Sequence, residues 1–453
     1  MKGLNIIIMA AGNSTRLKSR LTKVMQPLCG LPLIDHILRT ARSLRPQKIA
    51  LVVGNHKEAL IDHLRGQKDL IFAHQKERRG TAHAAQIGLK ALGRVSGPIL
   101  VLSGDVPLLK IETLKRLLRL GAARPLSLVT AVLADPFGYG RLLRDGEGRV
   151  YGIVEEKNAS PEERQINEIN AGIYCVEAGF FGRALSKVKP DPIKKEYYLT
   201  DLVEIAVGEG IPVHTVPAED SREILGVNTR AELAYLQQVR RGELVAMHLD
   251  KGVGMEDPAS VYIDEGIAIG EDSYLGPGVH LKGKTKVGRA CRIETGCVLV
   301  DAQLGDEVEV KAYSHLQDCR VKAKAILGPF ARLRPGSLVE EEAHVGNFVE
   351  LKKTRLGRGS KANHLSYLGD AVIGKGVNVG AGTITCNYDG KNKFQTRLDD
   401  GVFVGSDTQL VAPVRVGKGA YIGAGTTVTK NVPPGSLAVS RVEQKNIRNY
   451  KRR

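Results

Sequence analysis

Closely spaced cysteines and long apolar runs are both missing from this sequence. Its 453 residues contain six cysteines, at positions 29, 175, 291, 297, 319 and 386, and no C-x-x-C pair. Neither a zinc site nor a disulfide framework is therefore indicated. No apolar run approaches the ~18 residues of a membrane span, and the stretch from Ile6 to Ala11 is too short for a signal sequence. These absences favour a protein of the reducing cytoplasm without a membrane partner.

The sequence also lacks the usual signatures of nucleic-acid binding and of the best-known phosphate loops. Its 66 lysines and arginines outnumber 49 acidic residues and give a net charge of +17. These basic residues are dispersed, with no patch in which aromatic residues alternate with basic ones. The spacings G-x-x-x-x-G-K-[ST] and G-x-G-x-x-G do not occur at the first strand. We interpret the charge as complementing small phosphorylated molecules, and we expect no nucleic-acid partner.

Glycine, in contrast, is abundant in the second half of the chain, where 28 of the 51 glycines fall after position 251. Pairs of Ile, Leu or Val with Gly recur there, and several of the spacings between their glycines are multiples of six. They stand at 269–270, 275–276, 287–288, 327–328, 345–346, 356–357, 368–369, 373–374, 379–380, 404–405, 416–417 and 422–423. A six-residue repeat predicts a β-helix with three repeats in each coil and the aliphatic residue pointing inward.

One irregularity interrupts this array. The spacing from Gly380 to Gly405 exceeds four repeats by one position, and the segment 386–393 between them is polar and rich in turn residues. We interpret the segment as a loop that leaves the coil, and loops on rigid scaffolds often carry function.

The first part of the chain shows a different pattern, in which β-rich runs alternate with helical periodicity. The β-rich runs are 4–9, 48–53, 70–73, 98–102 and 126–132, and the helical patterns are 33–44, 57–65, 82–92 and 111–119. This alternation predicts a parallel sheet with helices on both faces and ligands beyond the carboxyl ends of the strands. Asp105 follows one such strand, where a carboxylate can hold a hard cation against phosphates. Taken alone, Asp105 is explained equally well as a helix cap.

Further along, polar residues stand beside glycines or apolar runs, as at Glu155, Asn170 and Asn228. Such residues suit sugar hydroxyls, although each alone is commonly a turn residue. A long polar helix, 230–248, then precedes the repeats. Two domains are expected from the length, at 1–228 and 252–453, with 229–251 as a helical linker.

Taken together, these residues resemble one family over essentially the full chain. It is the family of bacterial bifunctional N-acetylglucosamine-1-phosphate uridyltransferases and glucosamine-1-phosphate acetyltransferases. The resemblance implies an α/β protein with a Rossmann-like sugar-nucleotidyltransferase domain, a helical linker and a left-handed parallel β-helix that forms a homotrimer. The six-residue spacing does not by itself determine that the β-helix is left-handed. A left-handed coil is an exception to the rule that connections between parallel strands are right-handed.

In the first domain the resemblance implies a nucleotide and sugar site. Its residues are Met9, Ala10, Ala11, Gly12, Arg16, Lys23, Gln75, Gly80, Thr81, Ser103, Gly104, Asp105, Gly140, Glu155, Asn170 and Asn228. Among them, Arg16 and Lys23 are the expected catalytic cations, and Asp105 and Asn228 the expected ligands of Mg²⁺. The chain departs from the family's commoner residues at Ser14, Thr22 and Ala82.

In the second domain the match is closer. The implied sugar-phosphate contacts are Arg334, Lys352, Tyr367 and Asn378, and the implied acetyl-coenzyme A contacts are Ala381, Asn387, Tyr388, Ser406, Ala424 and Arg441. His364 matches the family's catalytic base, and Glu350 matches the carboxylate that orients this base. A histidine suits the role because its side chain ordinarily gains and loses a proton near the working pH. Taken alone, a histidine in a repeat is more often a surface turn residue.

The activities implied are N-acetylation of glucosamine 1-phosphate by acetyl-coenzyme A and Mg²⁺-dependent uridylyl transfer from UTP to N-acetylglucosamine 1-phosphate. Together they make UDP-N-acetylglucosamine, a cell-wall precursor. An alternative is a nucleotidyltransferase with one activity, whose β-helix is a scaffold or regulatory module. His364, Arg334, Lys352 and the polar segment 386–393 distinguish the two hypotheses, because a scaffold has no physical reason to keep them.

Overall fold

The computed structural model describes residues 3–12, 15–55, 57–121, 124–192 and 195–451. The chain divides into two compact units, Met1–Arg240 and Arg241–Arg453. The helices described are α1 Leu33–Ser43, α2 Glu58–His63, α3 Thr81–Leu92, α4 Ile111–Gly121, α5 Ala178–Lys187, α6 Asp201–Gly208 and α7 Arg230–Leu249. Short 3₁₀ turns span Thr15–Leu17, Lys23–Met25, Glu163–Gln165, Ser221–Ile224 and Pro258–Ser260.

The first unit is built on a mixed sheet. Its strands, with the small β2–β3 ribbon, are β1 Asn5–Ala10, β2 Pro27–Leu28, β3 Leu31–Pro32, β4 Lys48–Val53, β5 Leu70–His74, β6 Pro98–Ser103, β7 Leu126–Val132, β8 Arg141–Arg144, β9 Val150–Val154, β10 Glu168–Glu177 and β11 His214–Pro217. The order across the sheet is β11-β7-β10-β6-β1-β4-β5, and β8 joins β9 to β10.

Helices cover both faces of this sheet, as predicted. Along β1, Ile6 and Ile8 enter the core on one face with α1 and α4, whereas Ile7 enters the core on the other face with α3 and α5. Successive side chains of a strand point to opposite faces, so a continuous apolar run is what a sheet covered on both sides requires.

Two strands of this sheet, β10 and β9, run opposite to the direction that the predicted parallel sheet requires. Strand β10 lies between β6 and β7 and runs antiparallel to both. The reason is that hydrophobic periodicity reports which side chains are buried, and it carries no information on strand direction. Strands β1, β4, β5 and β6 are parallel, so the predicted carboxyl edge is present.

The second unit is a left-handed parallel β-helix whose three sheets form the sides of a triangular coil. The first sheet contains β12 Gly254–Met255, β15 Tyr274–Leu275, β18 Arg292–Ile293, β21 Glu309–Val310, β24 Ile326–Leu327, β27 His344–Asn347, β30 Lys361–His364, β33 Asn378–Val379, β36 Phe403–Val404, β39 Tyr421–Ile422 and β41 Leu437–Ala438. The second contains β13 Tyr262–Ile263, β16 His280–Lys282, β19 Val298–Val300, β22 His315–Gln317, β25 Arg332–Leu333, β28 Glu350–Lys352, β31 Tyr367–Gly369, β34 Ile384–Cys386, β37 Gln409–Val411 and β40 Thr427–Val428. The third contains β14 Ala268–Ile269, β17 Lys286–Val287, β20 Gln303–Leu304, β23 Cys319–Val321, β26 Ser337–Val339, β29 Arg355–Leu356, β32 Ala371–Ile373, β35 Thr396–Leu398 and β38 Val414–Val416.

The repeat spacing explains this stacking. Tyr274 pairs with Arg292, one coil of three repeats further along, and the inward aliphatic residues of all three sheets form one continuous core. The coil with the predicted irregularity is longer, because Asn378 pairs with Phe403, well beyond the distance of one regular coil. The extra residues form a short antiparallel ribbon in which Tyr388 bridges Lys393, so the predicted loop is confirmed.

Candidate functional site

The carboxyl ends of β1 and β6 lie side by side, since Met9 pairs with Ser103. They open into a cavity of ≈ 330 Å³ within the first unit. Ten of the residues predicted from the sequence line it: Met9, Ala10, Ala11, Gly12, Lys23, Gln75, Gly80, Thr81, Ser103 and Asp105. Gly104 lies directly behind them, and its N–H donates to the Met9 carbonyl over 2.9 Å. The structure thus brings these residues into one concave site.

One end of the cavity is shaped by close backbone approach at Gly80. Its φ of 98° is a left-handed conformation, and a Cβ there would lie 2.4 Å from the Tyr197 carbonyl oxygen. Only glycine meets both conditions. The buried Gln75 side chain donates to the Gly80 carbonyl over 3.2 Å, so its amide is held at this end. Donors and acceptors fixed in this way can recognise the edge of a planar base.

The other end is dominated by charge. The Lys23 ammonium contacts a carboxylate oxygen of Asp105 and donates to the Asn228 side-chain oxygen over 2.7 Å. The Arg16 guanidinium donates to the same Asn228 oxygen over 3.0 Å. The Lys23 side chain is 12% exposed and that of Asp105 23%, so solvent screens this pair only partly. Residues from both ends of the first unit's sequence therefore meet at one point.

The predicted sugar contacts form a group of their own. The Asn170 N–H donates to the Gly140 carbonyl over 2.9 Å, and its side chain donates to the Tyr174 hydroxyl over 2.7 Å. The Glu155 carboxylate accepts from the Thr200 hydroxyl over 3.0 Å, and burial raises the pKa of this carboxyl. A Cβ on Gly140 would lie 3.8 Å from a Glu155 oxygen, so Gly140, Glu155 and Asn170 are neighbours.

Asp201, the first residue of α6, makes the stability of this unit depend on pH. Burial raises the pKa of its carboxyl to about 6, with help from the negative charge of Glu204 and Glu155. Because this folded-state pKa lies above the ordinary value of 3.8, the folded chain binds the proton more tightly than the unfolded chain. The contribution of Asp201 to stability therefore falls as the pH rises from about 4 to about 6.

We accordingly expect Asp201→Asn to raise the melting temperature at pH 7.5 by about 2–4 °C and by less at pH 5. Thermal denaturation followed by circular dichroism at both pH values measures this. Asp62→Asn, at an exposed carboxylate, is the matched control. An equal shift at the two pH values would contradict the assignment.

In the second unit, three of the four predicted sugar-phosphate residues, Arg334, Lys352 and Tyr367, lie on one face of the coil, that of the second sheet. Glu350 pairs in register with Arg332 below it and Tyr367 above it. The Arg334 guanidinium donates to Glu350 over 2.9 Å, which raises the pKa of Arg334. A Cβ on Gly369 would lie 2.4 Å from the Tyr367 hydroxyl, so this ring leans across the backbone above Lys352, the residue paired with Gly369.

His364 lies at the adjoining corner of the coil. It ends β30, pairs in register with Asn347 and is exposed. Leu365 turns the chain with a φ of 46°, which brings the chain to Tyr367 on the next face. Asn378 stands on the first sheet, paired with Lys361 at the start of β30. Glu350, predicted to orient this histidine, accepts a hydrogen bond from Arg334, and Arg332 Nε lies 3.9 Å from its other carboxylate oxygen.

Several of the predicted acetyl-coenzyme A residues lie at the same corner, in the coils that follow the coil of His364. Ala381, Ser406 and Ala424 each follow a strand of the first sheet, and the Asp407 N–H donates to the Ala381 carbonyl over 2.7 Å. The Arg441 guanidinium returns from the chain end to donate to the Ala424 carbonyl over 2.8 Å. The corner thus forms a continuous column of backbone and small side chains, which suits a long, thin ligand.

Beside the column stands the ribbon at 387–393. The Asn387 side chain is 6% exposed and donates to the Asp370 carboxylate, so it anchors the base of the ribbon. The Tyr388 ring is 59% exposed, and its hydroxyl donates to the Gly390 carbonyl over 2.6 Å. The ribbon therefore has a fixed base and an exposed aromatic tip.

Some residues of both sites were missed by sequence reasoning. Arg78, Glu196 and Tyr198 line the first cavity, and no spacing in the sequence points to them. Arg332 on the second site stands two residues before Arg334, on the same side of the strand, so strand alternation was a signal for it.

Of the departures from the family pattern, Ser14 lies outside the described residues, and Ala82 is buried with its N–H donating to the Tyr197 carbonyl over 2.9 Å.

Among the described residues, no group of three or more His, Cys, Asp or Glu side chains is arranged to hold a metal ion. No helix in that part of the chain is long and apolar enough to cross a membrane.

Comparison with known proteins covers both units. Residues 6–148 match the MobA-like NTP transferase domain family. The chain is 46% identical to the bifunctional protein GlmU of Geotalea uraniireducens over 453 residues, which covers 100% of this chain and 99% of the relative. It is 47% identical to the protein of that name from Pelobacter propionicus, over 98% of this chain and 97% of the relative. For Anaeromyxobacter sp. the identity is 49%, over 97% and 91%. A likeness of this level that runs through both units places the whole chain in one group: it belongs to the family of bifunctional GlmU proteins.

Proposed function

We propose that the two candidate sites divide the two activities of this enzyme between them. The protein is a bifunctional transferase that N-acetylates glucosamine 1-phosphate with acetyl-coenzyme A and transfers a uridylyl group from UTP to N-acetylglucosamine 1-phosphate. Uridylyl transfer is assigned to residues 1–228 and acetyl transfer to residues 252–453, with 229–251 as the linker. One observation carries the proposal: each compact unit has its own candidate site with a cation paired to a carboxylate, Lys23 with Asp105 in the first and Arg334 with Glu350 in the second.

Acetyl transfer is assigned to the corner at His364. The imidazole removes a proton from the 2-amine, because an ammonium group has no lone pair to attack the thioester. The new amide bond forms as the carbon–sulfur bond breaks, and the sulfur leaves as the thiol of coenzyme A. Arg334 and Lys352 bind the sugar phosphate, and the 387–393 ribbon supplies donors to the oxyanion.

Glu350 is assigned a positioning role in this reaction. Its contact in this chain is the 2.9 Å hydrogen bond from Arg334, so it fixes the guanidinium that receives the phosphate. A planar guanidinium held by a carboxylate presents its remaining N–H donors in a defined direction. We therefore propose that Glu350 positions Arg334, in addition to its predicted role of orienting His364.

Uridylyl transfer depends on positioning and on neutralisation of charge, and it needs no protein nucleophile. Arg16 and Lys23 supply positive charge where the phosphates of UTP lie, beyond the carboxyl ends of β1 and β6. Gln75 and the Gly80–Thr81 turn hold the uracil end, while Gly140, Glu155 and Asn170 hold the acetylated sugar.

Mg²⁺ fits the donor set at this site. Asp105 offers a carboxylate and Asn228 an amide oxygen, and both contact the Lys23 ammonium, so the two oxygens face one positive charge. Magnesium commonly takes one or two such protein ligands and completes its shell with water and phosphate oxygens. When bound, the ion would neutralise charge on the phosphates.

A homotrimer and a cytoplasmic location are part of the same proposal. Tyr313, Phe330 and Phe348 stack at 5.5 and 5.2 Å along one edge of the coil, yet each ring is at least 44% exposed. An exposed apolar ladder of this kind supports cover by a neighbouring copy. The six cysteines are all free thiols, which fits a reducing compartment.

Separate assays of the two half-reactions test the function. The purified protein is expected to release coenzyme A from acetyl-coenzyme A with glucosamine 1-phosphate, and pyrophosphate from UTP with N-acetylglucosamine 1-phosphate. Unacetylated glucosamine 1-phosphate should be the poorer uridylyl acceptor. Turnover in only one assay would contradict the assignment of two working sites.

A further inference from the structure

The Gln75 amide lines the cavity of ≈ 330 Å³ in the first unit, which we call the nucleotide cavity. The side chain is 4% exposed, so neighbouring protein groups rather than water determine which way the amide points. Its nitrogen lies 3.2 Å from the Gly80 carbonyl oxygen and 3.3 Å from Nδ1 of His83. His83 itself lines a separate cavity of the same unit and has no part in the proposed function so far.

These two contacts allow one orientation of the Gln75 amide. A carbonyl oxygen can only accept, so the amide atom that faces Gly80 is the nitrogen with its two hydrogens. The same nitrogen faces His83, and Nδ1 of that ring therefore carries no proton and accepts the second N–H. If the amide were turned over, its oxygen would face two acceptors, and none of the three would have a donor. Leaving buried polar atoms unpaired in this way is costly.

Both acceptors are fixed in place by the fold. The Gly80 carbonyl also accepts from the Ala84 N–H over 3.2 Å, at the start of α3. His83 lies in the same first turn of that helix. The Thr81 hydroxyl, two residues before His83, accepts from the Leu199 N–H over 2.9 Å, which ties the turn to another segment of the unit. The orientation of the amide is therefore set before any ligand binds.

We propose that His83 is a positioning residue that gives this site its preference for uracil over cytosine. The role rests on the proposed function, in which Gln75 holds the base of UTP. Both amide hydrogens of Gln75 are used inside the protein, so its oxygen is the atom left to meet the base. Uracil carries a hydrogen on N3, which can donate to that oxygen, whereas N3 of cytosine is an acceptor and is repelled by it. His83 thus acts on specificity through Gln75.

Comparison of UTP with CTP measures this role. His83→Phe keeps a planar ring and removes Nδ1. It should lower the ratio of UTP affinity to CTP affinity by about tenfold, the effect expected when one of the two hydrogen bonds that orient the amide is lost. His83→Asn keeps an acceptor oxygen near the position of Nδ1 and should restore the ratio to within about twofold of wild type. Gln86→Ala, at an exposed residue one turn further along α3, is the matched control. Titration calorimetry measures both affinities, and thermal denaturation shows whether each variant is folded.

A double variant shows whether the effect passes through Gln75. In the Gln75→Ala background, His83→Phe should change the ratio by less than about twofold, because the amide that His83 orients is absent. An unchanged ratio in folded His83→Phe, an equal loss with and without the Gln75 amide, or equal affinities of wild type for UTP and CTP would overturn the proposal. Calorimetry needs no turnover, so a wild type that prefers UTP but releases no pyrophosphate would count against the proposed function alone.

Discussion

Asp105→Ala should lower kcat/KM for uridylyl transfer by at least about a thousandfold and leave acetyl transfer within about twofold. The carboxylate stands at the end of β6, in contact with Lys23 and beside the loop that follows β1. Removing it deletes the strongest oxygen ligand of the proposed metal site and frees the ammonium that it faces. The acetyl-transfer candidates all lie in the other compact unit, and their contacts do not involve Asp105.

The variant has to be shown to be folded, because Lys23 loses its carboxylate partner. Its contact with Asn228, at 2.7 Å, remains, so we expect a modest change in melting temperature. Asn228→Ala is a second variant, which removes the amide oxygen and keeps the Lys23–Asp105 pair. Both variants should lose uridylyl transfer in an assay of pyrophosphate release, and Asp69→Ala should not. Loss of both activities together in Asp105→Ala would refute the assignment of two separate sites.

The spread of this charged cluster shows what a sequence can and cannot predict. The position of Asp105 was predictable, because a buried strand must end where its apolar run ends. Its partners were not predictable from pattern, since Lys23 and Asn228 come from segments near opposite ends of the first unit's sequence. Only the topology brings them together. Resemblance to a family supplied those residues, and physical reasoning from periodicity alone would have left them out.

The β-helix was predictable in greater detail, for a physical reason. Each coil repeats the same contacts. A six-residue repeat therefore predicts both the position of each strand and the strand with which it pairs in the next coil. The long coil from Asn378 to Phe403 was visible as a broken rhythm. In the first unit, no pattern in the sequence indicates that β10 runs antiparallel to its neighbours. The contact of Glu350 with Arg334 also depends on rotamers, which sequence spacing does not determine.

His364→Ala should lower kcat for acetyl transfer by about a hundredfold to ten-thousandfold, the range for loss of a general base, and should leave uridylyl transfer unchanged. The side chain is exposed at a corner of the coil, so its removal creates no core cavity and should not destabilise the fold. A pH profile gives a readout that a structural role would not move. As the pH rises towards the pKa of the substrate amine, more substrate arrives already deprotonated, and the gap between variant and wild type should narrow.

His344→Ala is the matched control, because His344 lies on the neighbouring strand of the same sheet, paired with Lys361 rather than with His364. It should keep wild-type rates in both assays. Unchanged acetyl transfer in His364→Ala would remove the catalytic assignment, and a uniform loss at every pH would make His364 a structural or binding residue. A loss that shrinks with rising pH connects the imidazole to the proton that the amine must give up. That result would also decide against a β-helix that serves only as a scaffold, since a scaffold has no proton to transfer.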